Sequence, residues 1–90
     1  MSILGMDIGE MFAVSSKLKG SSGDLQRLTT EIDGLVRQAM SHWEGADAQQ
    51  FLEWWENEHK PPLMAAQRTL ANLGAAARRA AEDQERVSGG

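Results

Sequence analysis

The sequence predicts an all-α chain: an antiparallel helix–turn–helix hairpin that pairs into a four-helix bundle. Three observations carry this. Apolar residues recur at alternating steps of three and four along both halves of the chain. A glycine-containing break at 41–47 separates the halves. And 90 residues make one small domain, in which a lone hairpin covers its own apolar seams poorly.

The first helix is expected over about 7–40. Met11, Val14, Leu18, Leu25, Leu28, Ile32, Leu35 and Ala39 follow a heptad seam, interrupted by Ser21. The flanking positions, among them Lys17, Lys19, Asp24, Gln26, Arg27, Glu31, Asp33 and Arg37, are polar. At ~1.5 Å per residue the helix is roughly 50 Å long. Its weak point is Gly20-Ser21-Ser22-Gly23, because each interior glycine costs ~1 kcal/mol against alanine. Asp24 could cap a new helix there. The heptad phase runs unbroken through the stretch and predicts continuity.

The turn is Ser41-His42-Trp43-Glu44-Gly45-Ala46-Asp47. Gly45 is free to adopt a positive φ and reverse the chain. Asp47 or Ser41 is the expected cap of the next helix. A loop this short makes the helices antiparallel neighbours.

The second helix is expected over about 48–87. Ala48, Phe51, Leu52, Trp55 and His59 open it at helical spacing, and Leu63, Ala66, Leu70, Leu73, Ala77, Ala80 and Val87 continue it, with Gln84 as a polar exception. Lys60-Pro61-Pro62 predicts a kink or short break at 60–62, since each proline lacks a donor and crowds the preceding turn. Ser88-Gly89-Gly90 reads as a frayed tail. Phe51 and Trp55 share a helix face, and Trp43 can fold against it. Trp54 lies about 100° away and is expected to be exposed or covered by a partner.

Composition excludes several functions. The formal net charge is −4 and basic residues are not clustered, which argues against nucleic acid as a partner. With no cysteine, disulfides and thiolate metal sites are out. His42 and His59 lack a third ligand, so no metal or other cofactor is expected. The acids Glu53, Glu56 and Glu58 form a solvated strip, the serines have no base and orienting group beside them, and no phosphate loop follows a strand. No enzyme is expected. The mixed-charge polar faces argue against membrane binding, and Met6, Met11, Met40 and Met64 serve as adaptable filling near the seams.

The stretch Trp43-x-Gly45-x-Asp47-Ala48-x-x-Phe51-x-x-x-Trp55, set between two helical halves of similar length, resembles the WXG-hundred family of early-secreted-antigen-like proteins. The resemblance covers nearly the whole chain. It implies a hairpin that pairs as a homodimer, or as a heterodimer with another WXG-type hairpin. It also implies export as a folded dimer by the membrane ATPase of a Gram-positive or mycobacterial type VII (ESX) secretion system. The protein would be cytoplasmic before export, then secreted or surface-held. The N-terminus, MSILGMDIGEMF, shows no cleavable signal peptide, in keeping with that route. In the family the Trp-x-Gly turn and a C-terminal Tyr-x-x-x-Asp/Glu of the partner form a composite export signal. Trp43 and Gly45 match the first part. Of the second, Asp83 and Glu85 are the acids that remain, for the chain has no tyrosine. A partner that supplies the tyrosine, or an accessory role, is then expected. A second class stays open: an intracellular helical adaptor or chaperone for a larger exported protein.

Overall fold

The computed structural model describes residues 5–89 and is all-helical over that span apart from the turn and the first residues. Helix α1 (Ile8–Met40) is followed by α2 (Ala46–Trp54), a π-turn at Trp55–His59 and α3 (Lys60–Gly89). The last three are continuous, so the molecule is a hairpin of two long arms, the second bent. It is a rod 66 Å long and 17 by 15 Å across.

Helix α1 opens at Asp7, whose carboxylate accepts from the Glu10 N–H at 3.0 Å. It then runs through Gly20 and Gly23 without a break. Asp24 therefore caps nothing; it pairs with Arg27 on the exposed surface. At the other end Ser41 closes α1 rather than opening the next helix. Its N–H reaches the carbonyls of Arg37 and Gln38, and its hydroxyl also donates to Gln38.

A kink or short break was expected at 60–62; the second arm is bent but unbroken. The irregularity lies earlier, at 55–59, and the helix is not interrupted. A proline ring crowds the carbonyl four residues before it and offers it no N–H. For Pro61 and Pro62 those carbonyls belong to Asn57 and Glu58, inside the π-turn. The wider turn moves them aside, and the Lys60 N–H bonds to the Trp55 carbonyl instead. The helix also continues through Ser88 to Gly89, where fraying was expected; Gly90 lies outside the described residues.

The fully buried positions between the two arms are not those of the apolar heptad. On α1 the buried positions are Ser15, Ser22, Thr29 and Val36, spaced by seven. Opposite them the buried positions on α3 are Gly74 and Ala81, again seven apart. The Ser15 hydroxyl donates to the Gly74 carbonyl at 2.7 Å and the Ser22 hydroxyl to the Gln67 carbonyl at 3.0 Å. Thr29 turns its hydroxyl back to the Leu25 carbonyl at 2.8 Å. Small side chains let the arms approach closely: a Cβ on Gly74 would sit 3.1 Å from the Ser15 carbonyl oxygen.

The large apolar side chains consequently turn outward. Leu28 is 49% exposed, Leu35 57% and Leu73 51%. Each stands one residue before a buried one, at Thr29, Val36 and Gly74, and so about 100° round its helix. Because the arms are antiparallel, that rotation leads to the same face of the hairpin on both. Met11, Val14, Leu18, Leu25, Ile32, Leu63 and Leu70 are half-buried along the edge of this face. Of the residues predicted to form an interface, Leu28, Leu35 and Leu73 thus line an outward stripe, whereas Trp55 is buried and Leu18 borders the arms' own smaller-residue seam at Gly74.

Candidate functional site

The turn end of the rod gathers the aromatic residues. Ser41 and His42 close α1 with backbone bonds to Arg37, Gln38 and Ala39. Gly45 then takes φ +111°, a region L residues avoid. It occupies the N-cap of α2 with no side-chain cap, and its carbonyl accepts from the Gln49 N–H at 3.1 Å. Asp47, expected as the cap, lies instead in the first turn, where its charge complements the helix N-terminus.

Trp43 packs against Phe51 with ring centroids 5.5 Å apart and a tilt of 49°. It nonetheless keeps 42% of its surface exposed. Trp54 is more exposed still, at 52%, and meets His59 edge-on at 4.2 Å. Trp43, Asp47, Gln50, Phe51, Glu53, Trp54, Asn57 and Glu58 line an open groove of about 710 Å³.

Trp55 goes the other way. It is buried against α1, and its indole N–H donates to Asp33 at 3.1 Å. The same Asp33 oxygen accepts from Lys60 Nζ at 3.0 Å, and its second oxygen from Arg37 Nε at 3.0 Å. Lys60 also lies 3.8 Å from Glu56. The Trp55 indole N–H, then Lys60 and Arg37, hold the Asp33 carboxyl well below the usual carboxylate range. Phe51 and Trp55, one turn apart in sequence, thus divide the work: one faces the groove and the other anchors the arms.

The residues read as a C-terminal signal sit elsewhere. Asp83 pairs with Arg86 and Glu85 is exposed, both near the end of α3. That end lies beside the start of α1, where Arg78 covers the Phe12 ring at 5.6 Å. Within one chain, the length of the rod separates Asp83 and Glu85 from Trp43 and Gly45. Among the described residues no three histidines or acids converge as metal ligands. No helix among them is long and apolar enough to cross a membrane.

Sequence reasoning missed two features. Asp33 reads as one more polar flank of the heptad, and nothing local marks it as the carboxylate that joins the arms. The Ser15–Ser22–Thr29 seam reads as surface because its residues are polar; its signal is the constant step of seven, matched by Gly74 and Ala81. No family model matches the chain, and no curated protein or solved structure matches it.

Proposed function

We propose that this chain is a small exported hairpin of a type VII secretion system, moved across the membrane as a folded dimer. It acts as a substrate or as the co-secreted partner of another WXG-type protein. The observation that carries the reading is the turn. Trp43 stands part-exposed at the tip of the rod, two residues before a glycine held at φ +111°. A large side chain that the fold does not need buried, fixed beside a backbone that needs glycine, is what a recognition element requires.

The outward stripe supports the dimer. Leu28, Leu35 and Leu73 gain by leaving water only if a second hairpin covers them. An antiparallel stack of two rods brings the open end of one, with its Asp83 and Glu85, beside the turn of the other. A signal built from both parts therefore draws on two chains, since one chain keeps them at opposite ends. The missing tyrosine favours a partner that carries one.

Trp43→Ala is the test. The side chain packs on Phe51 at the end of the rod and away from the contact between the arms, so helicity and solution mass should match the parent, with at most a small drop in melting temperature. Export to the culture medium by a host with a working type VII system should be lost. Export of the folded Trp43→Ala protein at the parental level would remove Trp43 from the signal. Gly45→Ala is the poorer probe, because strain at the positive φ costs on the order of 1–2 kcal/mol by itself.

A further inference from the structure

Beyond the Trp43–Phe51 contact, which ties the turn to α2, the groove at the turn end faces away from the contact between the arms. Its floor is Trp43, Phe51 and Trp54, and its rim carries Asp47, Glu53 and Glu58. No lysine or arginine lines it. The two bases of residues 30–60, Arg37 and Lys60, are committed to Asp33. Exposed indole faces attract a cation through the ring quadrupole, and carboxylates at the rim add charge-assisted hydrogen bonds. At about 710 Å³ the groove can take several side chains together.

We infer that this groove docks a basic segment of another protein, one that presents arginine or lysine beside apolar side chains. A second copy of the chain is a poor occupant. Stacked antiparallel on the outward face, its open end would bring Met11, Val14, Ala80 and Val87, which carry no charge. Of its arginines there, Arg78 covers Phe12 and pairs with Glu82, Arg86 pairs with Asp83, and only the exposed Arg79 is left to offer. Covering the rim with that end would take three carboxylates out of water with a single guanidinium, that of Arg79, to answer them. The inference rests on the fold and the groove and is independent of the export reading.

The probe is a short peptide of alternating leucine and arginine, titrated into the full chain and followed by tryptophan fluorescence and calorimetry. Saturable one-to-one binding that weakens with salt is expected. The same peptide with glutamate for arginine should not bind. Trp54→Ala should weaken binding by about tenfold or more, as truncation of a central aromatic anchor does. The double variant Glu53→Gln/Glu58→Gln should weaken it similarly, and gives a second route if Trp54→Ala loses helicity. Asp24→Asn/Glu31→Gln removes the same charge away from the groove and should leave binding unchanged. Three outcomes overturn the inference. The peptide fails to bind; or the two charge variants weaken it equally, which reduces the effect to general attraction by an acidic protein; or acrylamide fails to quench the exposed tryptophans of the free protein, which means a second copy already fills the groove. Peptide binding by the Glu53→Gln/Glu58→Gln variant reports on the groove, and export of Trp43→Ala reports on secretion, so either idea can fail alone.

Discussion

Asp33 receives hydrogen bonds from both arms, and the π-turn is what lets it. Residues five apart on an α-helix diverge by about 140°, so Trp55 and Lys60 could not both face one carboxylate from a regular helix. The wider turn between them brings the indole and the ammonium onto the same oxygen. The prolines at 61 and 62 thus act at a distance: they impose the turn, and the turn builds the clamp. Because these partners hold the folded-state pKa below its ordinary value, the carboxylate stabilises the hairpin at neutral pH. That contribution is lost as pH falls below about 4, where the unfolded chain takes up the proton first. Asp33→Asn keeps the shape and removes the charge. It should melt at a lower temperature than the parent at pH 7, and the gap should close as the pH is lowered through that range. Thermal unfolding by circular dichroism at a series of pH values checks both parts. A constant gap down to the acid end would mean that the charge contributes nothing.

At the scale of the helix, glycines sort by what lies opposite them. Gly20 and Gly34 are interior helical positions with open space where a Cβ would go. Gly20→Ala and Gly34→Ala should each stabilise by roughly 0.5–1 kcal/mol, through propensity and a less flexible unfolded chain. Gly74 faces the Ser15 carbonyl and the Lys19 side chain, each 3.1 Å from a built Cβ. Gly74→Leu should force the arms apart and cost on the order of 1–3 kcal/mol, with loss of the Ser15 bond. Chemical denaturation of the three variants separates these cases. The same seam shows what the sequence made legible. The hairpin, the continuous first helix and the glycine turn follow from period, length and backbone chemistry, which act locally. The contact between the arms does not. The eye follows leucines, and the leucines lie on the neighbouring face, while the arms meet through Ser15, Ser22 and Gly74. Their cohesion comes from hydroxyl–carbonyl bonds and close approach, which a hydropathy pattern does not record. The turn motif was legible as a motif; the groove behind it was not, because Trp54 and Phe51 reach it from a helix whose rotation the sequence leaves open.

For the molecule as a whole, an interior seam of small polar contacts lies beside an outward stripe of leucines, and the proposed dimer is what would cover that stripe. In the proposed dimer the half-exposed heptad leucines form the second contact, offset from the first by one residue. Leu28→Asp/Leu73→Asp should therefore spare the hairpin, since both side chains already reach water, but should prevent its association. Light scattering after size exclusion, over a dilution series, should give a dimer for the parent and a monomer of reduced stability for the variant. A parent that stays monomeric and poorly helical alone points to a heterodimer, and mixing with the missing hairpin should then restore both helicity and mass. In the proposed dimer, charge favours one alignment of the rods over the other. Residues 30–60, which form the turn end, hold seven acids and two bases, whereas the remainder holds six acids and seven bases. Side by side and parallel, two copies would set one acidic end against the other. Antiparallel, each acidic end meets the nearly neutral open end. Lower ionic strength lengthens the reach of this repulsion, from about 8 Å at physiological salt to about 30 Å at 0.01 M. An antiparallel homodimer should keep its mass under those conditions; dissociation on lowering the salt would mean that like ends lie together.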